Sequence, residues 1–458
     1  MKKKFISIFA LAMIFSVGTT AQVDSTAHVQ QKVMTLKECM EYAVDNSTKN
    51  KIQQLDNADA RINKREAILK AFTPSISAST NAYYNFGRTV DPETNTYTNI
   101  TSFSNGYSIS AGITLFDGFS AINNIKISQT AIKIGISQED KIRDELCLSV
   151  MEAYCNVMYH SEMVEVLKKK VKTGKKNLEL IKKQYDLGQK SYPDVVQTEA
   201  DQADTEYQLI NSTNNLNNAM LTLKSLMLWP TEKELNLDRS IINDSIPPYD
   251  DTEDAVSEII DFAVNTQPDA LIAKGELRSA KISLNTAKWQ FLPTLSLSGG
   301  WSTSYYSYPG NDSYISPSFG SQWRNNAGEY VQLNLSIPIY DRLSRHSDLS
   351  RKKNAYRRAQ AQYEQTKLDI EAEVTRAVQD KQGAMKAMIQ AEKRADSQSE
   401  TYKLHEKKML LGLVSPVEFQ TISNTYLNAL AERLNARLQY FLKKSVVEYY
   451  KGISYLNQ

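Results

Sequence analysis

The sequence has 458 residues but few of the residues from which catalytic and metal sites are built. Its three cysteines, Cys39, Cys147 and Cys155, include no closely spaced pair, which favours buried small residues over a disulfide framework. None of its four histidines has the spacing of a metal motif such as H-E-x-x-H. G-x-S-x-G and Walker motifs are also absent, and no acid–base pair stands out. The sequence therefore offers no candidate constellation for an enzyme.

Long apolar runs are absent after the N-terminus. Residues 1–21 contain three lysines, an apolar run from Phe5 to Val17 and small residues up to Ala21, which predicts a secretory signal peptide cleaved after Ala21. A membrane anchor is the less favoured alternative because the run is short for ~30 Å of hydrocarbon. No later segment approaches ~20 apolar residues, so a mature chain that spans a membrane must do so with strands.

Charge of either sign is not in excess. Lysine and arginine total 54 against 52 acids, and removal of the three signal lysines leaves 51 − 52 = −1. This balance gives no reason to expect a nucleic-acid partner. The lysines between positions 168 and 183 are interpreted mostly as a solvated helix face rather than as an anion site.

The most informative pattern is a pair of reversals, each of which interrupts a long helical pattern with Gly and then Pro. The glycines and the acids that follow them keep one separation, since 412 − 188 and 418 − 194 both equal 224. A gap-free register between distant segments indicates internal duplication. The matched positions are Leu187, Gly188, Ser191 and Asp194 in the first copy and Leu411, Gly412, Ser415 and Glu418 in the second.

The first structural repeat is predicted over residues 22–230. A helix with a break near residues 46–47 ends at Phe72-Thr73-Pro74, because proline disfavours helical geometry at the residue before it. A β-hairpin follows over 75–116, where the period of the apolar residues changes from helical to two. A long helix pair then covers 119–228.

The second repeat follows the same order of elements. Residues 231–252 mix Pro, Asp and Ser without a clear period and are interpreted as an irregular connector. The second repeat is predicted over 253–458, with a helix that ends at Phe291-Leu292-Pro293, a hairpin over 294–340 and a long helix pair over 343–451.

In both hairpins the side chains alternate, with apolar or aromatic residues on one face and mostly hydroxyl-bearing residues on the other. Polar segments over 87–106 and 305–328 separate the strands of each hairpin and are predicted to be loops. The strands are predicted over 75–86, 107–115, 295–304 and 331–339.

Strands of ~10 residues with this alternation are typical of membrane β-barrels. Tyr84, Phe86 and Trp301 lie near strand ends, where aromatic side chains meet a lipid interface. An ordinary half-buried sheet is the alternative. Four strands cannot close a barrel without open edges, and the small known barrels have about eight. The membrane hypothesis therefore requires several copies of the chain.

The helix predicted over 119–185 would be roughly 100 Å long. Its apolar residues recur every seven positions, which is typical of a coiled-coil tube or a fibre rather than of a compact globule. This seam consists of Val150, Val157, Val164, Val171, Leu178 and Tyr185.

The chain resembles the TolC family of outer-membrane export channels over nearly the whole mature sequence. The resemblance is carried by the Phe-x-Pro before each hairpin, by Phe116-Asp117 and Tyr340-Asp341, and by the two Leu-Gly reversals. It implies a mainly α protein with β-strands, in which long antiparallel helical hairpins build a tunnel through the periplasm. Four strands per chain would join a shared 12-stranded barrel of a homotrimer in the outer-membrane lipid. A periplasmic adaptor protein at the tip and an inner-membrane transporter behind it are the implied partners, and no cofactor is expected.

The resemblance also implies roles for residues at the two reversals. The adaptor would dock on Gly188 and Gly412 and on the neighbouring Leu187, Leu411, Ser191 and Ser415. The periplasmic gate would involve Tyr185, Asp194, Met409, Glu418 and Thr421.

The gate residues depart from the family pattern in two ways. Asp194 and Glu418 take the places of gate acids, but a further acid of the family falls on Thr421, which implies one charge per chain in the narrowest ring rather than two. The family's gate-locking tyrosine and arginine fall on Met409 and Val414, which cannot form those polar bonds.

Two roles for Glu418 are open. A ring of carboxylates in a narrow aqueous constriction favours cations, whereas one carboxylate in the first turn of a helix can simply stabilise its N-terminus. The same alternatives apply to Asp194, where the helix-end role is favoured because it follows Pro193.

For the whole chain the leading hypothesis is a passive conduit of a tripartite efflux or type I secretion system. The rival is an exported coiled-coil adhesin or fibre, which would not need the duplicated hairpins.

Overall fold

The computed structural model describes residues 33–90, 95–99, 101–240, 255–309 and 316–458. The signal peptide predicted over 1–21 and most of the connector predicted over 231–252 lie outside the described residues. The elements of the first half are α1 (Leu36–Asn46), α2 (Thr48–Phe72), β1 (Ser75–Asn85), β2 (Arg88–Val90), β3 (Tyr97–Asn99), β4 (Ser102–Phe116), α3 (Ser120–Asp186) and α4 (Tyr192–Met227). The elements of the second half are α5 (Val256–Thr266), α6 (Pro268–Trp289), β5 (Thr294–Ser307), α7 (Phe319–Asn325), β6 (Gly328–Ser336), α8 (Ser344–Leu410), α9 (Pro416–Tyr450) and a 3-10 turn (Tyr455–Asn457).

The first helices begin where side chains satisfy the free backbone N–H groups. At the start of α1, Thr35 Oγ1 accepts from the Glu38 N–H at 3.3 Å and the Glu38 carboxylate accepts from the Thr35 N–H at 2.9 Å. Ser47 Oγ accepts from the Asn50 N–H at 3.2 Å and starts α2. The predicted break near residues 46–47 is therefore confirmed.

The two long helices α3 and α8 each have 67 residues, or about 100 Å at ~1.5 Å per residue. Both follow two residues in the left-handed conformation, at 118–119 and at 342–343. The aspartate before each pair caps the helix, because Asp117 Oδ2 (2.8 Å) and Asp341 Oδ2 (3.0 Å) accept from the backbone N–H four residues on. Across the described ranges, no helix has both the length and the hydropathy to span a membrane.

The four long strands form one antiparallel sheet in the order β1-β4-β5-β6, so β1 and β6 are its edges. Ser77 lies opposite Ser110, with the hydroxyl oxygens 3.1 Å apart, on the hydroxyl-rich face. On the other face Ile109 lies between Ala78 and Trp301. The sheet thus has one apolar and one hydroxyl-rich face, as the alternation predicts.

The strand boundaries differ from the prediction. β4 begins at Ser102 instead of 107, because β1 continues to Asn85 and pairs with these added residues. β6 covers 328–336 instead of 331–339, and Pro338 lies beyond its end, where its missing N–H removes no ladder bond. The register of β4 against β5 also shifts between Thr114 and Phe116. A bulge therefore interrupts the predicted alternation at residue 115.

Both predicted loops contain ordered elements. The segment 87–106 holds the small β2–β3 hairpin, in which the Arg88 guanidinium lies 4.8 Å from the centre of the Tyr97 ring. The segment 305–328 holds helix α7, which Ser318 starts by accepting from the Ser321 N–H at 3.4 Å. The two segments, predicted simply as polar loops, thus contain a short hairpin and a short helix that the sequence analysis did not predict.

The main hydrophobic core lies where α1, α3, α4 and α9 meet, and Tyr154 at its centre is 1% exposed. Cys39, Cys147 and Cys155 are buried there without a disulfide, which confirms the prediction of buried small residues. Burial raises the pKa of each of these thiols to about 12. A smaller core joins α5, α6, α8 and α9 around Val374.

The heptad seam of α3 is only partly correct. Val150, Val157 and Val164 are buried, but Tyr185 at the end of the seam is 42% exposed and Ile181 takes the buried position. A straight helix of 3.6 residues per turn drifts ~20° per heptad, so a strict seven-residue count leaves the buried stripe after several turns. The distal end of α3 therefore faces its neighbours with a different register.

Candidate functional site at the helical tips

The two reversals have the same backbone geometry. α3 ends with a Gly188 N–H to Tyr185 O bond of 2.8 Å and a Gln189 N–H to Gln184 O bond of 2.8 Å, and Gly188 has φ +70°. This is a Schellman motif, in which a left-handed residue without Cβ strain closes the helix. At the end of α8 the corresponding bonds, 224 residues on, are 3.0 and 2.9 Å, and Gly412 has φ +72°.

The helices that leave the reversals begin differently. At the start of α4, Asp194 Oδ2 accepts from the Ser191 N–H at 3.1 Å and from the Ser191 hydroxyl at 2.8 Å. These two hydrogen bonds hold the pKa of Asp194 below its ordinary value. At the start of α9, Ser415 Oγ accepts from the Glu418 N–H at 3.2 Å. The Glu418 carboxylate instead lies near α8, with its Oε1 3.8 Å from His405 Nε2.

The apex of each reversal presents a leucine to solvent. Leu187 and its counterpart Leu411 are each 73% exposed in the single chain. Tyr192 is 64% exposed and its ring centre lies 6.1 Å from that of Tyr185. Contiguous apolar groups that a folded chain leaves exposed are typical of protein interaction surfaces.

Behind the apex, an apolar cluster joins the two hairpins, and it is called the tip cluster below. Its members are Ile181 and Val195 from the first hairpin and Met409, Val414 and Phe419 from the second. Each is at most 8% exposed. Met409 and Val414, the positions where the resemblance implies a polar lock, are thus part of a hydrophobic contact between the hairpins.

A small polar cavity of about 50 Å³ lies next to the tip cluster between α3, α4, α8 and α9. Lys170 lines this cavity and its Nζ donates to Asn424 Oδ1 of α9 at 2.8 Å, and burial lowers the pKa of Lys170. Gln202 Oε1 is buried against the cavity without a hydrogen-bond partner in the described structure. A volume of this size holds a few water molecules, which would satisfy that oxygen.

Sequence reasoning missed this cavity because Lys170 was grouped with the solvated lysines. Lys175 and Lys182 do pair with acids of α4 near the surface, at 3.1 and 2.6 Å. Lys170 differs in that its partner lies on α9, 254 positions away. Because the two partners are so far apart in sequence, no local sequence pattern predicts the cavity.

Thr421 lies one helical turn after Glu418 on α9, whereas Asp194 lies on α4 of the other hairpin. Thr421 is exposed on α9 and its hydroxyl donates to the Val417 carbonyl at 3.0 Å. In the described part of the chain no hydrogen bond or ion pair links Asp194 to Glu418. The same part of the chain contains no group of three or more His, Cys, Asp or Glu side chains that could hold a metal ion.

The comparisons with known proteins agree with this architecture. The model of the family described as "Outer membrane efflux protein" matches residues 49–227 and 259–443. The structure is similar to that of CusC, whose crystal structures concern transmembrane channel formation, with a TM-score of 0.75 and 14% identity over 91% of each chain. It is also similar to VceC from Vibrio cholerae, with a TM-score of 0.73 and 15% identity over 91% of this chain and 96% of that one. For the CmeC outer membrane channel of Campylobacter jejuni the TM-score is 0.72, with 16% identity over 92% of this chain and 85% of that one. No curated protein matches the sequence significantly.

Long helical hairpins joined to an amphipathic four-stranded sheet are the fold that this chain shares with these solved structures. Because the family match covers most of the chain, the chain belongs to the outer membrane efflux protein family. The resemblance, the fold class and the outer-membrane location inferred from the sequence are confirmed. Nothing in the fold favours the rival hypothesis of an adhesin or fibre.

Proposed function

We propose that three copies of this chain form a passive conduit from the periplasm to the exterior. The observation that carries the proposal is the pair of open sheet edges, β1 and β6, in a chain whose family lies in the outer membrane. An unpaired edge cannot face lipid, because its N–H and C=O groups would lack partners. β1 and β6 run in opposite directions, so β6 of one copy can pair antiparallel with β1 of the next. Three copies of four strands close a 12-stranded barrel.

The helical part of the proposed trimer is a tunnel in the periplasm. Helices of about 100 Å extend away from the sheet and reverse at the two tips. Apolar side chains on the helices also support self-association, since Leu55 on α2 is 67% exposed and Ile210 on α4 is 59% exposed in the single chain. The chain offers binding surfaces and a passage, and we assign it no enzymatic activity.

The tips are the proposed docking surface for a periplasmic adaptor. Gly188 and Gly412 hold the turns, Ser191 and Ser415 start the returning helices, and Leu187 and Leu411 provide apolar contact. An inner-membrane transporter reached through the adaptor would supply direction and energy. The proposed periplasmic gate comprises Asp194, Glu418 and Thr421, together with Tyr185 and Met409.

The native mass in mild detergent, followed by conductance in planar bilayers, tests the conduit. We expect a mass of three copies and stepwise single-channel currents. A stable monomer that forms no pore would refute the proposal, because four strands alone cannot line a membrane channel.

The docking surface is tested by photo-crosslinking in the cells from which the protein is extracted. A photo-crosslinking amino acid at Leu187 or Leu411 should capture the adaptor. The same reagent at Leu368, a 59% exposed leucine of α8 far from the tip, is the matched control and should not. Equal capture from the control position would contradict docking at the tips.

A further inference from the structure

Helix α7 packs on the apolar face of the sheet. Trp323 lies 4.8 Å from Tyr107 and 5.5 Å from Trp301, measured between ring centres. Phe319 lies 5.4 Å from Tyr305. All three strand residues alternate onto the face that carries Ile109, and none belongs to the hydroxyl-rich face. The helix therefore covers the side of the sheet that faces outward in the proposed barrel.

Specific hydrogen bonds hold α7 in this place. Residues 303–307 at the C-terminal end of β5 extend past the start of β6, and no strand of the described residues pairs with the edge of this part that faces away from β4. Gln322, 3% exposed, occupies this edge: its Oε1 accepts from the Tyr306 N–H at 2.9 Å and its Nε2 donates to the Tyr306 carbonyl at 2.8 Å. Asn326 Nδ2 donates to the Ser304 carbonyl at 2.7 Å. The amides thus replace the missing strand and fix the aromatic side chains of α7.

The apolar face of β5 covers most of the height of an outer-membrane apolar band, which is ~25 Å. Between Leu295 and Thr303 the strand β5 advances 303 − 295 = 8 residues, about 26 Å along the strand or about 20 Å along the membrane normal at a tilt of ~40°. Val331, on this face, is 84% exposed. The one carboxylate on this face of the described strands, Glu329, lies opposite Trp301 at the upper end. The end of the apolar face that Glu329 marks therefore lies at the level of the aromatic side chains of α7.

Aromatic side chains also mark the opposite end of the sheet. Phe116, Phe119 and Trp289 form a chain of rings with centres 5.3 and 5.0 Å apart. Two aromatic groups on either side of an apolar band are the arrangement that a bilayer selects, because amphipathic rings favour the headgroup level.

We propose that α7 is an interfacial anchor that lies among the outer-leaflet lipids, with Phe319 and Trp323 at the boundary between headgroups and acyl chains. The inference rests on the proposed function, since it requires the apolar face to face lipid. Phe319 is 48% exposed, so without lipid a large part of its ring would be in contact with water. Arg324 is exposed on the same helix and its Nε donates to the Gly320 carbonyl at 3.3 Å, which leaves the other guanidinium N–H groups able to reach lipid phosphates.

Tryptophan fluorescence in lipid nanodiscs tests the anchor. The native chain has four tryptophans, Trp229, Trp289, Trp301 and Trp323. Each variant keeps one of them and carries Trp→Phe at the other three. The nanodiscs contain phosphatidylcholine brominated either near the headgroup or near the chain end. The shallow bromines should quench the emission of Trp323 more strongly than the deep ones, because its ring lies at the headgroup level. Phe319→Trp in a background without native tryptophans is a second reporter if the Trp323 variant is unstable.

Two controls separate the anchor from the conduit. Val331→Trp reports on the sheet itself, and Trp229 packs against Tyr42 near the main core, distant from the sheet. Quenching of residue 331 by bromine without quenching of either α7 reporter, together with quenching of α7 by aqueous acrylamide, overturns the anchor and leaves the conduit standing. An unquenched residue 331 would mean that the sheet does not lie in lipid, and the proposed function would then fail as well.

Discussion

The two tips have the same backbone conformation, but the acid that follows each turn has different partners. Gly188 and Gly412 have φ values of +70° and +72° and close their helices with the same pair of hydrogen bonds. Asp194 returns to its own helix start, whereas the Glu418 carboxylate lies near His405. The two turns therefore have the same backbone geometry, while the acid after each turn has different partners. The first tip uses its acid for structure, and the second presents it to the surroundings.

The largest expected difference concerns the tip cluster, to which the two hairpins contribute unequally. Phe419→Ala should lower the free energy of separating the hairpins by about 3 kcal/mol, because it removes a buried ring and leaves a cavity. Val195→Ala removes only two methyl groups and should cost about 1–2 kcal/mol. Hydrogen exchange of backbone amides in α4 and α9 measures both values.

Phe419→Leu serves as the control, since it keeps most of the apolar volume and should cost less than Phe419→Ala. Because the cluster contains no charge, raising the salt concentration should leave its opening free energy almost unchanged. A strong loss of protection with salt, or equal costs at the two positions, would show that polar contacts elsewhere hold the tips together.

The next effect concerns ion preference and separates the two acids. Glu418→Gln should shift the reversal potential of the channel towards that of an unselective pore, since a ring of carboxylates in a narrow constriction attracts cations. Each charge is worth about 1 kcal/mol to an ion at 4 Å in water. Asp194→Asn should shift it less, because the Asp194 carboxylate is engaged by Ser191. Bilayer currents under a salt gradient measure both shifts.

Unchanged conductance and selectivity in Glu418→Gln would leave Glu418 with only the helix-end role. His405→Gln is the matched control for the second tip. It removes the group 3.8 Å from Glu418 but keeps the carboxylate, so cation preference should persist. Loss of cation selectivity in this variant would instead show that His405, rather than Glu418, determines the ion preference.

The sequence predicted the parts of the fold that depend on local chemistry. The first long helix, predicted over 119–185, covers Ser120–Asp186, and its end is set by Gly188, which closes a Schellman motif that local residues determine. The sheet was also predictable in kind, since alternation of apolar and hydroxyl residues survives in the register.

What escaped prediction depends on contacts distant in sequence. Helix α7 lies in a segment rich in Ser, Gly and Pro, which locally favours a loop, and Gln322 anchors it on a strand sixteen residues earlier. Lys170 likewise owes its desolvated position to helices from both hairpins. In the tip cluster, Met409 and Val414 were recognised only as unable to form polar bonds, and their burial with Ile181 required the tertiary structure.

The smallest expected effect is the pH dependence of the start of α4. The pKa of Asp194 is held below its ordinary value, so the carboxylate stabilises the folded tip fully above that ordinary value and loses this contribution as the pH falls through the folded pKa. Asp194→Asn should cost about 0.5 kcal/mol at neutral pH, a small value because the side chain is exposed to solvent. Hydrogen exchange of the first α4 amides should therefore differ between the native chain and Asp194→Asn at neutral pH and converge in acid. The corresponding amides of α9 in Glu418→Gln should change less, since the Glu418 carboxylate accepts no bond from Ser415. Equal changes at both tips would mean that the two acids still perform one common task, in spite of their different partners.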